Sequence, residues 1–386
     1  VICTDKESCF KNVSVMSSRT LSRRSFIRKT AAAAAGTGIA VHTFSSPAVR
    51  TFSAPAFLSS NQKKVGIALV GLGYYSTDLL APALQETHTA YLAGIVTGTP
   101  SKEKIWMEKY GIPEKNVYNY ENFDRIAANP DIDIVYVVLP NSLHKEYTIR
   151  AAKAGKHVIC EKPMALNASE CEEMIKACRD NGVQLSIGYR MQFEPYTQEA
   201  MRLGQEKVFG EVLQITCGAA FRSAGRDSWR MKKAMGGGAM MDMGVYALQA
   251  ARYVTGEEPV EINARAYVTR PELFKEVEEV MQFDLKFPSG CIASLSTGFH
   301  AEYNYLKVFA EEGWFELEPF QAYRGIHGRT SNGEMKFSDI NQQAAQMDEV
   351  AECILNGKPM RVPGEEGLRD MIVVDQIFAC AAEEKC

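Results

Sequence analysis

Several stretches of the 386-residue chain combine residue types and spacings that suit redox chemistry on a small molecule. Gly71-Leu72-Gly73-Tyr74-Tyr75-Ser76 follows directly on the apolar run from Val65 to Val70. A glycine pair at a strand-to-helix turn lets the backbone approach a pyrophosphate, whose charge the helix N-terminus then favours. Ser76 stands where the third glycine of that fingerprint belongs, so a tight turn without a ligand is the alternative. The next strand ends in Thr97-Gly98-Thr99-Pro100-Ser101-Lys102-Glu103-Lys104, without the carboxylate that would hold the adenine ribose of NAD. Its hydroxyls and ammonium groups suit the extra phosphate of NADP, although an exposed helix start would also carry such lysines. Further on, His157-Val158-Ile159-Cys160-Glu161-Lys162-Pro163 sets Lys162 at the carboxyl end of a buried strand, where open α/β sheets bind their ligands. The commoner fate of a lysine is to face solvent. Finally, Gly236-Gly237-Gly238 leads into a helix with Asp242 and Tyr246 four apart on one face. Such a polar pair is usually just solvated, but three successive glycines are costly unless something must come close.

The elements that position these residues follow from periodicity. Val65 to Val70, Tyr91 to Val96, Ile132 to Leu139, His157 to Cys160 and Val183 to Gly188 read as buried strands with helices between them. That alternation predicts a doubly wound parallel α/β (Rossmann) domain, over residues 57–188. After about residue 190 the pattern changes. Met281, Phe283, Leu285 and Phe287 alternate with Gln282, Asp284 and Lys286, and Pro288-Ser289-Gly290 turns the chain into another strand at Cys291. With Val212 to Phe221, Val260 to Val268, Tyr305 to Ala310 and Trp314 to Leu317, this predicts an α+β domain with a large, mostly antiparallel sheet over residues 189–386. Two helices close the chain, the first with Met347, Val350, Ala351 and Ile354 on one face.

Composition narrows the function. Hydrophobic residues at 46% and charged residues at 23% fit a folded, enzyme-sized protein and exclude a disordered, collagen-like or coiled-coil chain. A formal net charge of −4 provides no basic field for nucleic acid, which is not expected as a partner. No stretch reaches the roughly 18 to 20 apolar residues of a membrane span. The ten cysteines lack CxxC or Cys/His spacing, so no metal is implied and most read as buried small hydrophobes. Residues 1–56 read as a leader. Arg23-Arg24-Ser25-Phe26 runs into the alanines at 31–35, the pattern of a twin-arginine signal, and Ala54-Pro55-Ala56 offers a cleavage site. The expected partner is the twin-arginine export machinery, and the expected location is the periplasm.

Taken together, the ordered motifs resemble the Gfo/Idh/MocA oxidoreductases, and within them the glucose-fructose oxidoreductase branch. The resemblance rests on Gly71-Leu72-Gly73, Thr97-Gly98 with Lys102, Pro140-Asn141-Ser142-Leu143-His144, Glu161-Lys162-Pro163, Gly188-Tyr189-Arg190, Trp229-Arg230, the glycine segment through Tyr246, Gly256-Glu257-Glu258-Pro259 and Pro363-Gly364-Glu365-Glu366-Gly367. It implies a tightly held NADP contacted by Gly71, Gly73, Tyr74, Tyr75, Thr97, Gly98, Lys102, Pro140, Asn141, His144, Glu161 and Lys162. It also implies catalysis by Lys162, Asp242 and Tyr246, and a sugar pocket that includes Tyr189, Arg190, Gln192, Trp229, Asp242 and Tyr246. A tyrosine is too weak an acid to be ionised at neutral pH unless an ammonium close by favours the phenolate, and Lys162 would be that ammonium.

The implied reaction oxidises an aldose to its lactone and reduces a second sugar with the same bound cofactor, in a homo-oligomer whose contacts use the large sheet. A carried cofactor suits export, since free NADP(H) is not expected to be recycled outside the cytoplasm. Two rivals remain: a nicotinamide-dependent glycoside hydrolase that oxidises and re-reduces one sugar, and a non-catalytic sugar or cofactor sensor on the same fold. One departure from the branch is the short arm from Phe57 to Lys64 left after cleavage at Ala56, where the branch has an extended, proline-containing arm across the cofactor.

Overall fold

The computed structural model describes residues 64–223 and 228–383. The twin-arginine leader, the Ala54-Pro55-Ala56 site and the arm up to Lys63 lie outside the described residues. The first layer is a six-stranded, wholly parallel sheet built from β1 (Val65–Val70), β2 (Ala90–Val96), β3 (Val117–Tyr118), β4 (Ile134–Val137), β5 (His157–Cys160) and β6 (Leu185–Ile187). Their order, β3-β2-β1-β4-β5-β6, reverses between β1 and β4. At such a switch point the loops leave in opposite directions and open a crevice at the carboxyl ends of the strands. The reason β1 reads as a continuous apolar run is visible in its neighbours: Val65, Ile67 and Leu69 enter one core and Ala68 and Val70 the other. A π turn (Tyr75–Leu80) runs into α1 (Ala81–Ala83), and α2 (Pro100–Tyr110), α3 (His144–Lys153) and α4 (Ala168–Asp180) connect the later strands. Pro100 starts α2 with its preset φ and Gly111 ends it in the left-handed region at φ 68°.

The second layer holds α5 (Pro195–Gln205), β7 (Val212–Ala220), α6 (Val245–Thr255), β8 (Glu261–Tyr267), β9 (Val280–Lys286), β10 (Ile292–Gly298), β11 (Tyr303–Ala310), β12 (Gly313–Leu317), β13 (Gly328–Thr330) and β14 (Gly333–Glu334). The eight strands follow the order β14-β13-β12-β11-β7-β10-β9-β8, antiparallel except for the β10–β7 pair. Alternation in β9 is literal, with Met281, Phe283 and Leu285 in the core and Gln282, Asp284 and Lys286 facing out.

The closing helices are α7 (Gln342–Asn356) and α8 (Gly364–Glu383). Here the chain-order division at residue 189 is crossed in space. Met347, Val350 and Ala351 of α7 join the core under β1 and β2, and Asp348 accepts hydrogen bonds from the backbone N–H groups of His88, Thr89 and Ala90 at the start of β2. A helix from the end of the chain therefore seals one face of the first sheet. The described cysteines are free thiols, six of them buried.

Candidate active site

Three backbone features bring the candidate residues to the crevice. Lys162 leaves the carboxyl end of β5, the Gly71–Gly73 turn leaves the carboxyl end of β1, and a π turn (Met240–Gly244) carries Asp242 into α6, which opens with Tyr246 in its first turn. The Lys162 ammonium donates to the backbone carbonyl of Asp242 at 2.6 Å and lies 3.8 Å from its carboxylate Oδ1. The same ammonium sits 4.5 Å from the ring centre of Tyr246, a cation on a phenol face. Asp242 and Tyr246 are each 8% exposed, so the three groups form a cluster with a narrow opening to solvent. The Asp242 carboxylate is oriented by Arg230, whose Nε donates to Oδ2 at 2.7 Å. The sequence named Arg230 only as Trp229's neighbour. Its role comes from a loop that folds back twelve residues before Asp242, a return that no local pattern announces.

The glycine turn has the features of a phosphate cradle. Gly71 has φ +91°, and a Cβ there would lie 2.4 Å from the carbonyl oxygen of Val138, so the fold itself demands glycine. Gly73 is different: an added Cβ would meet no protein atom within 4 Å. Ser76, in the place of the third glycine, donates from its hydroxyl to Gly71 O at 2.6 Å and closes the turn from inside. The half-buried Lys102 reaches from the first turn of α2 to Leu72 O at 2.6 Å, which puts an ammonium at the lip of the cradle. Lys104 instead is exposed and paired with Glu108. These residues fit a dinucleotide with an additional phosphate: backbone and Gly73 space for the pyrophosphate, Lys102 with the exposed Gly98-Thr99 turn for the outer phosphate.

Several residues expected to touch the cofactor are turned to other tasks. His144 is fully buried, with Nδ1 2.8 Å from Pro163 O and Nε2 2.9 Å from Leu139 O, and burial holds its pKa below the ordinary range. It braces the loops after β4 and β5 instead of facing the crevice. Asn141 is 3% exposed and donates its amide to Gly236 O at 2.7 Å, tying the first layer to the glycine segment. Thr97 is buried, its hydroxyl accepting from Thr99 N at 3.2 Å. Glu161 accepts from the Tyr136 hydroxyl at 2.7 Å and lies beneath the site, its pKa raised by burial against the opposing pull of Tyr136 and Lys162. Tyr74 is exposed and Pro140 half-buried.

The residues expected in the sugar pocket lie at different depths. Tyr189 belongs to the main core, the packing alternative for an aromatic residue. Gln192 is half-buried, with its backbone carbonyl accepting from the side chains of Gln198 and Arg361. Trp229 is half-buried on the rim, with the Arg230 guanidinium 4.8 Å from its ring. Arg190 is buried under the cluster, 5.4 Å from the ring of Tyr246 and 4.6 Å from that of Tyr323. Tyr323, on the loop between β12 and β13, escaped the sequence reading altogether. It stands 6.1 Å from Tyr75, so Tyr75, Tyr323, Arg190 and Tyr246 form a continuous path from the cradle to the catalytic candidates.

Comparison with known proteins identifies a family. Residues 65–189 match the family described as "Oxidoreductase family, NAD-binding Rossmann fold", and residues 197–316 match the GFO/IDH/MocA C-terminal domain. The crystal structure of an aldose-aldose oxidoreductase from Caulobacter crescentus, complexed with glycerol, is 43% identical, covers 84% of this chain and 99% of that one, and superposes with a TM-score of 0.82. A D-xylose 1-dehydrogenase [NADP(+)] from Haloarcula marismortui is 27% identical over 338 residues, 84% of this chain and 93% of its own. A 2,7-anhydro-N-acetylneuraminate hydratase from Escherichia coli is 30% identical over 261 residues, 66% of this chain and 68% of its own.

Proposed function

This chain belongs to the Gfo/Idh/MocA oxidoreductase family, and from that premise we propose that it is an NADP-dependent sugar oxidoreductase that oxidises an aldose at its anomeric carbon and reduces a second sugar with the same bound cofactor. The observation that carries the reading is the cluster of Lys162, Asp242 and Tyr246 at the mouth of the Gly71–Gly73 cradle. The similarity to an aldose-aldose oxidoreductase and to an NADP(+)-dependent xylose dehydrogenase supports the substrate class and the cofactor.

The bound nicotinamide would accept and return a hydride. Tyr246 takes the proton of the anomeric hydroxyl as the lactone forms and gives it back to the alcohol oxygen of the second sugar. Lys162 stabilises the negative charge that develops on oxygen, with its ammonium already fixed by the Asp242 carbonyl. Asp242, held by Arg230, orients the sugar hydroxyls. Gly73 and Lys102 would hold the phosphates. The solvent face of the eight-stranded sheet exposes Leu213, Ile292, Phe309 and Trp314, which supports the homo-oligomer proposed for this chain.

The test is to denature the purified protein and weigh the released cofactor, then to mix the native enzyme with D-glucose or D-xylose and follow absorbance of the reduced nicotinamide. NADP, reduction by an aldose, and equal yields of lactone and alditol are expected. The hydratase relative favours one second reading, transient oxidation and re-reduction of a single sugar, which would produce no net redox between two sugars. Export through the twin-arginine route into the periplasm is part of the same proposal, motivated by Arg23-Arg24. Replacing both arginines with lysine should leave the protein in the cytoplasm, and continued arrival in the periplasm would remove this element.

A further inference from the structure

We infer that Arg190 is the positioning residue that sets the charge around Tyr246, and not a sugar ligand; the inference rests on the sugar-oxidoreductase reading above. Arg190 is 2% exposed, which closes its guanidinium off from solvent. Nη1 donates to Ala322 O at 2.8 Å and to Gln342 Oε1, and Nη2 donates to Gln321 Oε1 at 3.1 Å. Every one of these acceptors is neutral.

Another buried arginine in the same layer shows how unusual this is. Arg252 is 4% exposed and donates to three carboxylates, those of Glu258, Glu366 and Asp370. That is the expected solution, because a buried guanidinium without a counter-charge is costly. Among the described residues no carboxylate lies within ion-pair distance of Arg190. Its Nε also lacks a hydrogen-bond partner among them. What surrounds it instead are phenols, with the rings of Tyr323 at 4.6 Å and Tyr246 at 5.4 Å. Burial works against the charge, but the phenols of Tyr246, Tyr75 and Tyr323 outweigh it and hold the guanidinium above its ordinary range.

The groups that face Tyr246 come from every neighbouring element. Lys162 follows β5, Asp242 lies on the preceding turn, Tyr75 comes from the cradle loop, Tyr323 from the loop after β12, and Arg190 from the turn after β6, with the carboxylates of Glu161 and Glu194 near Arg190 in turn. Asp242 already has two cations, Lys162 at 3.8 Å and Arg230 at 2.7 Å. Arg190 has no carboxylate at ion-pair distance; Glu161 and Glu194 feel its charge from farther off, and with the Tyr246 ring 5.4 Å away part of its field falls on the phenol that exchanges a proton with the sugar.

The experiment uses the full-length holoenzyme, with D-glucose or D-xylose as probe and rapid-mixing absorbance as readout. Arg190→Gln removes the charge. Gln321→Glu leaves Arg190 in place and gives it a carboxylate partner at a half-buried position, with little risk to folding. Both variants should move the pH of half-maximal hydride transfer upward by about one unit, and slow the step roughly tenfold below that pH, with KM for the sugar unchanged. Arg190→Lys should keep the profile near that of the wild type. An unmoved profile in folded Gln321→Glu overturns the inference, as does a raised KM with kcat and profile unchanged in Arg190→Gln, which would make Arg190 a sugar contact. If the wild type reduces no NADP with either sugar, the parent reading fails instead, and the variants are not reached.

Discussion

A methyl group added at Gly73 would meet nothing of the protein within 4 Å, whereas one added at Gly237 would lie 2.3 Å from the carbonyl oxygen of Arg230. Its neighbours are equally confined. Gly236, at φ +73°, would press on Leu166 and Asn141, and Gly238, at φ +108°, on the Glu278 carboxylate. The triple glycine reads in the sequence as room for a ligand, but what comes close there is the protein itself: the chain of Trp229 and Arg230 and the side chain of Glu278. Of these four glycines, Gly73 alone could take a methyl group without meeting protein atoms. One segment therefore makes room for a cofactor, and the other lets the second layer fold tightly enough to fix Asp242 and Tyr246 against Lys162.

The largest effect should come from breaking the chemistry while leaving both glycine segments whole. Tyr246→Phe removes one oxygen, so NADP binding and the melting temperature should stay near those of the wild type while hydride transfer slows by roughly 10²- to 10⁴-fold. Reduction of cofactor at an unaltered rate, measured by rapid mixing with an aldose, would show that Tyr246 is packing and nothing more.

The glycines themselves test the contrast directly. Gly237→Ala forces a methyl into backbone and should lower stability by about 1–3 kcal/mol or more, read as a clear drop in melting temperature, with activity falling alongside. Gly73→Ala should melt normally and bind NADP at least about tenfold more weakly by calorimetry. Equal melting losses in the two variants would erase the distinction.

Lys102→Ala should sharpen the cradle side. Loss of the ammonium now held at Leu72 O should cut the preference for NADP over NAD by about tenfold, with NAD affinity unchanged. Parallel losses for both cofactors would assign Lys102 to the shape of the loop and not to the outer phosphate.

The smallest expected effect sharpens the protein-filled side. Glu278 accepts from Met240 N at 2.8 Å, and burial raises its pKa from 4.5 to about 7. An acid that binds its proton more tightly in the folded state destabilises that state as pH rises from about 4.5 to about 7. Glu278→Gln keeps an acceptor for Met240 N but cannot ionise, so it should lose less stability than the wild type across that interval, a difference of a few degrees in melting temperature. Parallel melting curves at pH 5 and pH 7.5 would contradict the raised pKa of this carboxyl.

Local pattern was enough for what depends on local pattern. The two-faced burial of β1, the alternation in β9 and the glycine pair after β1 are written in runs of six or seven residues, because strand period and turn chemistry act over that range. The strands β3, β13 and β14, two or three residues long, carry no period to read.

What the sequence determined by itself is therefore a Rossmann layer followed by a mostly antiparallel layer, and the residue types of the candidate site: Lys162, Asp242 and Tyr246 with a glycine turn. Tertiary structure alone decided which side chains face the crevice. His144, Asn141 and Thr97 spend their polar groups on backbone partners, because buried donors and acceptors must be satisfied, and for His144 and Asn141 a partner comes from another loop. Arg230 and Tyr323 enter the site, and α7 returns to the first sheet, through contacts between segments far apart in the chain or folded back on themselves. Such contacts depend on how whole layers pack, and no window of residues contains that information.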